Sequence, residues 1–332
     1  MNERFESKKI FFIGAGAIAT ALGNVLVKTG NLDVTLITIE KEVADTINRE
    51  HLNKKYFPTI QLEEKLKAST DFSLLKQEAI VFLAIPSVVV VNFIANQELH
   101  PGSIVVNLAK GFGNQHQTIV ESLKEVIPNR ICSLKGPSFA REIINNQPTA
   151  LTLGAEDGSL YPIFHDLFRG TTIYTDYSAD VRGVEILSIL KNIYAIAIGV
   201  VDAQFESPNL KYMIFTKALY EMRHVLLISG GKKKTLFNYC GIGDFALTAL
   251  NDLSRNRTLG LLIGKGFFTD NISEKVVLEG RIAVNVFYKV LEEKGLDNHE
   301  FPIISELYRV FNEPYDISSF VINLMKSNFI NG

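Results

Sequence analysis

The sequence predicts an α/β amino-terminal domain built on a doubly wound, mostly parallel sheet, followed by an all-α carboxyl-terminal domain. Two observations predict this division. Short apolar segments alternate with helical patterns as far as Asp180, and strand signals stop after that residue. A chain of 332 residues also suits two domains. We therefore expect one domain over residues 1–180 and a second over residues 181–332.

Composition excludes several classes of protein. The hydrophobic content of 47% is ordinary for a globular protein with a core, and the net charge of -2 gives no general attraction to nucleic acid or anionic lipid. Cys132 and Cys240 lie far apart, without metal or redox spacing, which favours a reducing compartment. The charged amino terminus lacks a secretory pattern. We expect a cytoplasmic protein that neither binds nucleic acid nor inserts into a membrane.

The first element is a buried strand over Lys9–Ile13, followed directly by two glycines and a helical pattern. A dinucleotide-binding (Rossmann) turn requires this succession of strand, glycine turn and helix. Gly14 permits the tight turn, Gly16 lets the backbone approach a pyrophosphate, and Ala19 replaces the third glycine. The alternative is a plain structural turn, since glycines are common between strands and helices.

The second predicted strand, Asp33–Thr38, ends just before Glu40. An acid at this place accepts hydrogen bonds from the ribose hydroxyls of NAD. No arginine lies nearby in the sequence to pair with a 2′-phosphate, and the nearest cation along the chain is Lys41. This favours NAD, with NADP possible. The alternative is that Glu40 is a solvated residue at the start of a helix.

The remaining strands of the first domain are marked by apolar runs. They are Ala79–Ile85, Ser103–Leu108, Arg130–Leu134, Thr149–Gly154 and Thr171–Thr175. Lys110 follows one of them, so it lies at the carboxyl edge where open α/β sheets bind ligands. Gly136, Pro137 and Ser138 follow another and predict a turn and a helix start, with Glu142 in the first turns.

A long apolar pattern over Val184–Asp202 opens the second domain and predicts a buried helix. Lys191 lies in its middle, with no carboxylate three or four positions away. Lysine is almost never fully buried without a partner, so its partner comes from elsewhere in the fold or from a ligand. A desolvated lysine can donate or accept a proton. The alternative is a lysine whose amine extends to water.

Further helical patterns follow. One covers Asn209–His224, and a glycine-containing break ends at Asp244. Another helical run follows Ser254-Arg-Asn-Arg257. Two arginines around an asparagine bind an anion if they face inward and form a solvated patch if they face outward.

Taken in order, these motifs resemble the NAD(P)-dependent glycerol-3-phosphate dehydrogenases, from residue 10 to beyond residue 310. The family also implies a second domain like that of 6-phosphogluconate dehydrogenase. The matching segments are Gly14-Ala-Gly-Ala-Ile-Ala-Thr-Ala-Leu22, Tyr56-Phe-Pro58, Ala84-Ile-Pro-Ser87, Ala109-Lys-Gly111, Gly136-Pro-Ser-Phe-Ala140, Leu190-Lys-Asn192, Gly199-Val-Val-Asp202, Gly241-Ile-Gly-Asp244, Ser254-Arg-Asn-Arg257 and Val277-Leu-Glu-Gly280.

The resemblance implies reversible hydride transfer between NAD(P)H and dihydroxyacetone phosphate, giving sn-glycerol 3-phosphate for glycerophospholipid supply. Lys191 matches the proton donor, Lys110 a lysine that contacts substrate and cofactor, and Asp244 an acid beside Lys191. The substrate positions are Lys110, Gly136, Ser138, Lys191, Asp244, Ser254, Arg255 and Asn256. The cofactor positions are Gly14, Gly16, Ala17, Ile18, Glu40, Lys110, Ala140, Arg255, Val277 and Glu279. The family also implies a homodimer.

Several departures concern the cofactor and not the chemistry. Many bacterial members have an aromatic residue and glycine where this chain has Ile18 and Ala19, a polar residue at Ile39, and Thr-Arg-Gly where it has Thr216-Lys-Ala218.

Two other classes of protein remain as alternatives. One is a 3-hydroxy acid dehydrogenase of the same two-domain plan, and the other is a non-catalytic NAD-binding redox sensor. The sequence shows no phosphate-loop motif and no histidine pair at metal-ligand spacing, so we predict no metal site.

Overall fold

The computed structural model describes residues 9–29, 32–267, 274–296 and 300–327, with the side chains of residues 274–279 outside the description. The chain forms two compact units, Met1–Glu185 and Ile186–Gly332. Their division falls slightly later than the predicted one after Asp180, and the assignment of domains to residues 1–180 and 181–332 stays a prediction.

The first unit contains one eight-stranded sheet in the order β3-β2-β1-β4-β5-β6-β7-β8. Its strands are β1 Lys9–Ile13, β2 Asp33–Ile37, β3 Lys67–Ser69, β4 Ile80–Leu83, β5 Ile104–Asn107, β6 Arg130–Lys135, β7 Thr149–Gly154 and β8 Ile173–Ser178. All neighbouring strands pair in parallel except β6 and β7. The order of the first six strands is that of a doubly wound dinucleotide-binding sheet. The predicted fold class is confirmed.

Two details of the sheet differ from the prediction. The strand β3 was missed because it has three residues and a single buried one, Ala68, so it carries no apolar run. The strand β8 begins later than predicted, because the Ile173 amide donates to the Thr171 hydroxyl at 3.1 Å and Ile173 pairs with Thr149. Residues 171 and 172 therefore belong to the turn before the strand.

The central strands are apolar on both faces because helices cover both sides of the sheet. Phe12 and Phe82 lie on one face and stack with ring centroids 4.6 Å apart. Phe11 and Val81 lie in the core on the other face. This alternation fixes the register of β1 against β4, since a shift by one residue would exchange the faces.

Helices account for most of the rest of the chain. They are α1 Ala17–Val27, α2 Lys41–Glu50, α3 Ser87–Ala95, α4 Ile119–Val126, α5 Ala140–Ile144, α6 Leu160–Leu167, α7 Val181–Gln204, α8 Pro208–Ile228, α9 Asp244–Leu250, α10 Arg255–Gly264, α11 Glu274–Glu293, α12 Pro302–Asn312 and α13 Ser319–Lys326. After β8, the described residues form helices and turns without strands, as predicted.

The helix α7 is long and apolar enough to cross a membrane, but 94% of its most apolar window is buried inside the protein. Its hydrophobicity is therefore that of a core helix. No other helix in the described ranges meets the same criteria of length and composition.

The helices α7 and α10 pack with their backbones in close contact. A Cβ atom added at Gly199 would lie 2.9 Å from Gly260 Cα, and one added at Gly260 would overlap the Ile196 carbonyl. Because both residues at this crossing are glycines, the two helix backbones meet directly. This close contact fixes the position of α10 along α7.

A buried acid joins α8 to the start of α12. Glu221 accepts hydrogen bonds from the amides of Ile303 and Ile304, both at 2.9 Å. Burial is the largest influence on this carboxyl and raises its pKa to about 8, although the two amides act in the opposite direction. Glu221 thus satisfies amides that the first turn of a helix leaves without partners.

Candidate functional site

The glycine turn after β1 has the geometry that a pyrophosphate requires. Gly14 has φ +106°, and a Cβ atom added there would lie 2.7 Å from the Ala84 carbonyl oxygen at the end of β4. Gly16 is the N-cap of α1, and a Cβ atom added to it would meet no protein atom within 4 Å. The open space faces the helix N-terminus, and the turn lies between β1 and β4, where the strand order reverses. These residues fit a dinucleotide.

The first turn of α1 carries two further predicted cofactor positions. Ala17 and Ile18 are both partly exposed, whereas Ala19 is fully buried against the core. Ala19 thus has the packing role expected of the third residue of the glycine pattern. The partly exposed pair lies beside the glycine turn.

Glu40 lies past the end of β2, as the N-cap of α2, and forms an ion pair with Lys55. Lys55 is 15 positions from Glu40 in the sequence. The loop that carries Lys55 is anchored to the glycine turn by Asn53. The buried Asn53 amide donates to the Ala15 carbonyl at 2.9 Å and to the Thr20 hydroxyl at 2.8 Å. The hydrogen bond from Lys55 to Glu40 raises the pKa of the Lys55 amine. The nearest cation to Glu40 along the chain, Lys41, is therefore not its partner.

Lys110 lies just past β5, at the carboxyl edge of the sheet, as predicted. It is partly exposed, and no hydrogen bond or ion pair involves its amine within the described ranges. Gly136 follows β6 at φ +156°, where an added Cβ atom would overlap the Ala150 carbonyl. The Ser138 hydroxyl donates to the Gly136 carbonyl at 2.8 Å. The helix after this turn, α5, has five residues and begins only at Ala140. Ala140 is partly exposed.

In the second unit, Lys191 is 2% exposed and forms an ion pair with Asp244. The alternative of a lysine that extends to water is therefore wrong. Asp244 begins α9 after the turn Tyr239–Gly243, in which an added Cβ atom at Gly241 would overlap the Leu236 carbonyl. The second carboxylate oxygen of Asp244 is buried and has no hydrogen-bond partner among the described residues.

The two arginines at the start of α10 have different environments. Arg257 is buried and forms ion pairs with Asp202, at 2.7 Å, and with Asp252. Arg255 is exposed, and the described part of the chain provides no ion pair to its guanidinium. Asn256 is partly exposed, and Ser254 is the N-cap whose hydroxyl accepts from the Arg257 amide at 3.3 Å. Of the two arginines, only Arg255 is available for an anion.

Two predicted cofactor positions, Val277 and Glu279, lie in α11, but their side chains are outside the described residues. Within the described ranges, no group of three or more His, Cys, Asp or Glu side chains is arranged to hold a metal ion. Cys132 and Cys240 are buried thiols that form no disulfide, and burial raises the pKa of the Cys132 thiol.

Four charged residues near these sites were not predicted. They are Lys55 beside Glu40, Asp202 beside Arg257, and the buried pair of Lys135 and Glu185. Lys135 and Glu185 gave a usable signal, because each lies within an otherwise apolar strand or helix pattern. Lys55 gave none, since its loop sequence is ordinary for a solvated turn.

The fold and these sites together define a dinucleotide-binding protein of the dehydrogenase class. The parallel sheet supplies the nucleotide turn, and the helical unit supplies a buried lysine–aspartate pair. The family model described as the N-terminus of NAD-dependent glycerol-3-phosphate dehydrogenase matches residues 9–161, and the corresponding C-terminus model matches residues 180–322. The chain belongs to the NAD-dependent glycerol-3-phosphate dehydrogenase family, as its motifs indicated.

Individual relatives agree with this assignment. The chain is 32% identical over 324 residues to glycerol-3-phosphate dehydrogenase [NAD(P)+] of Clostridium botulinum, covering 96% of this chain and 97% of the relative. It is 33% identical over 318 residues to the enzyme of the same name from Halothermothrix orenii, covering 92% of each. The crystal structure of glycerol-3-phosphate dehydrogenase from Coxiella burnetii superposes with a TM-score of 0.87 at 26% identity, covering 97% of this chain and 100% of that one.

Proposed function

We propose that the protein is an NAD(P)-dependent oxidoreductase that interconverts dihydroxyacetone phosphate and sn-glycerol 3-phosphate, which supplies a precursor of glycerophospholipids. The observation that carries this proposal is the buried ion pair of Lys191 and Asp244 in a chain of this family. A fully buried lysine paired with a buried carboxylate is costly for fold stability alone, and a proton-transfer role accounts for it.

The positions assigned to the pyrophosphate and the adenosine ribose belong to the first unit. Gly14, Gly16 and the first amides of α1 hold the pyrophosphate, and Glu40 accepts hydrogen bonds from the ribose hydroxyls. Ala17, Ile18 and Ala140 line the same site, and Val277 and Glu279 are assigned to the cofactor from the family motif alone. When bound, the nicotinamide supplies or accepts the hydride.

Proton transfer is assigned to Lys191. Its ammonium donates to the carbonyl oxygen of the ketone during reduction and recovers the proton from the alcohol during oxidation. Asp244 holds the ammonium in a fixed orientation and offsets part of the cost of burying it. Lys110 contributes a positive charge that stabilises the oxygen as negative charge develops.

The phosphate of the substrate is assigned to the start of α10. Arg255 is exposed and without an ion-pair partner in the described residues, Asn256 is an uncharged donor, and Ser254 holds the first turn of the helix. A guanidinium binds phosphate with two parallel hydrogen bonds. Gly136 and Ser138 complete the assigned substrate positions.

The direct test is an assay of NADH and NADPH oxidation, followed by absorbance, with dihydroxyacetone phosphate present and absent. We expect substrate-dependent oxidation. A folded protein that binds NADH but shows no such oxidation would contradict the proposal. NADH oxidation with a 3-oxo acid, or reduction of NAD with a 3-hydroxy acid, would instead select the sister class of dehydrogenases. Cofactor binding without turnover on any of these substrates would select the redox sensor.

Arg255 provides a test of the phosphate site. We expect Arg255→Ala to raise the KM for dihydroxyacetone phosphate by about 10- to 100-fold, because hydrogen bonds to charged groups are worth about 1.5–3 kcal/mol. Steady-state kinetics measure this, with the KM for NADH as a second readout because Arg255 is also assigned to the cofactor. Arg255→Lys is the matched control, which keeps the charge but loses the bidentate geometry and should give an intermediate KM. An unchanged KM in the alanine variant would place the phosphate elsewhere.

The pair of Glu40 and Lys55 should set the preference between NAD and NADP. Glu40 favours NADH, because its carboxylate accepts from the ribose hydroxyls and repels a 2′-phosphate. We expect Glu40→Gln to raise the ratio of kcat/KM for NADPH over NADH by about tenfold or more, since it removes the repulsion and releases Lys55 to face the 2′-phosphate.

Lys55→Ala is the matched control for that change. It should lower use of NADPH and leave the kcat/KM for NADH within about twofold, because an exposed ion pair contributes little by itself. A fall in NADPH use after Glu40→Gln would mean that Glu40 does not face the 2′ position.

The assembly and location complete the proposal. We infer a homodimer in the cytoplasm. The family supports the dimer, and the two buried cysteines, which form no disulfide, support a reducing compartment. Size-exclusion chromatography with light scattering tests the dimer, and a mass of about one chain at working concentration would contradict it.

A further inference from the structure

A second buried lysine lies in the first unit, and no step of the proposed function uses it. Lys135 is the last residue of β6, directly before the Gly136 turn, and its side chain is 0% exposed. Lysine is almost never buried to this extent unless its amine is fully paired. The burial of this lysine therefore needs a structural or functional explanation.

The amine of Lys135 holds the main chain that precedes Lys110. It donates to the Asn107 carbonyl at 3.0 Å and to the Ala109 carbonyl at 2.6 Å. The first carbonyl belongs to the last residue of β5, and the second lies two residues further along, past the end of the strand. The second belongs to the residue immediately before Lys110.

A buried carboxylate balances this amine. Glu185 Oε1 lies 3.6 Å from the Lys135 amine. The same oxygen accepts hydrogen bonds from the side-chain nitrogen of Asn107 and, at 2.9 Å, from the Ser133 hydroxyl. Its other oxygen accepts from the Val120 amide at 2.9 Å. The charges are thus neutralised within one buried network.

The side chain of Asn107 also belongs to this network and binds both peptide groups of Ala109. Its side-chain oxygen accepts from the Ala109 amide at 2.9 Å, while its side-chain nitrogen donates to the Ala109 carbonyl at 3.3 Å. The peptide groups around Ala109 are therefore held by side chains on both sides. Such a segment has few ways to relax if one of these side chains is removed.

We propose that Lys135 is a positioning residue, which fixes the backbone on which Lys110 stands and so places the Lys110 amine for the substrate. The inference rests on the proposed function, because it requires Lys110 to act in the reaction. The observation behind it is that the Lys135 amine donates to the carbonyl of Ala109, the residue directly before Lys110. A displacement of about 1 Å can lower turnover by about 10²-fold even when it begins away from the reacting atoms.

The test is a double-mutant cycle between Lys135→Met and Lys110→Ala, measured as kcat/KM for dihydroxyacetone phosphate. We expect Lys135→Met alone to lower kcat/KM by about 10- to 100-fold. In the Lys110→Ala background the same change should lower it by less than about twofold, since the residue acts through Lys110. The dissociation constant for NADH should change no more in Lys135→Met than in Lys110→Ala, because Lys135 acts through Lys110.

Stability needs its own control, because Lys135→Met leaves Glu185 buried and unpaired. The double variant Lys135→Met/Glu185→Gln removes both charges and should recover the melting temperature but not kcat/KM. Glu185→Gln alone keeps the contacts of Lys135 with both carbonyls and should retain more kcat/KM than either variant without Lys135. Ile94→Ala, a truncation of a buried apolar side chain in the core on one face of the same sheet, controls for a general loss of stability.

The outcomes separate the inference from the proposed function. Unchanged kcat/KM in Lys110→Ala would overturn the assigned role of Lys110 and the inference with it. If kcat/KM falls in Lys110→Ala but is unchanged in Lys135→Met, the inference alone is overturned. An equal loss in both backgrounds, or a failure of the charge-free double variant to fold, would also overturn it, because Lys135 would then serve the fold and not Lys110.

Discussion

Lys191→Met should lower kcat by about 10²–10⁴-fold, the range that general acid–base catalysis contributes. The cofactor dissociation constant should change little, because the assigned pyrophosphate and ribose positions belong to the first unit. Steady-state turnover with dihydroxyacetone phosphate and fluorescence titration with NADH measure the two quantities. Normal turnover in a folded Lys191→Met protein would remove the central assignment.

Two further variants separate chemistry from stability at this pair. Lys191→Met leaves Asp244 buried without its ion pair, which should cost about 3–5 kcal/mol of unfolding free energy. Lys191→Met/Asp244→Asn removes both charges and should recover much of that stability while turnover stays low. Lys191→Arg keeps the positive charge but cannot release a proton near neutral pH, so it should also remain inactive.

Gly260→Ala should lower the free energy of unfolding with no change of charge or polarity. An added Cβ atom would overlap the Ile196 carbonyl, which belongs to the backbone of α7 and cannot rotate away. Overpacking of this kind costs about 1–3 kcal/mol and sometimes more. Denaturant unfolding measures the loss. We also expect a higher KM for dihydroxyacetone phosphate, because α10 carries Ser254, Arg255 and Asn256 at its start.

The matched control is Gly243→Ala, a glycine-to-alanine change in the same unit. A Cβ atom added at Gly243 meets nothing within 4 Å, and the residue has right-handed helical φ and ψ. Its stability should rise slightly or stay unchanged, because alanine reduces the entropy of the unfolded chain. Equal stability in the two variants would show that α7 and α10 tolerate a wider separation than the structure has.

Much of the fold followed from local patterns. The run Ile80-Val-Phe-Leu83 is buried on both sides of the sheet, so its sequence is apolar throughout and easily recognised. The edge strand Lys67–Ser69 escaped because it pairs along one side only and buries a single side chain. Its existence depends on the backbone of β2, which lies beside it in space and not in the sequence.

The candidate site divides in the same way. The glycine turn and the place of Lys110 after a strand were predictable, because each is set by neighbours along the chain. The apolar pattern around Lys191 showed only that a partner was needed, and it was the family resemblance that pointed to Asp244. Charge complementarity gives no preference among the many carboxylates of a sequence, and only the folded chain brings Asp244 to this amine.

By itself, the sequence determined the doubly wound sheet, the nucleotide turn, the buried helix with its lysine, and the family to which the chain belongs. Only the tertiary structure decided which charges are neutralised. It paired Arg257 with Asp202, 55 positions away, and thereby left Arg255 for an anion. It also linked Glu185 to Asn107, 78 positions away, in the network that holds the chain before Lys110. The physical reason is that secondary structure depends on periodic local patterns, whereas a buried charge depends on whatever the fold packs against it.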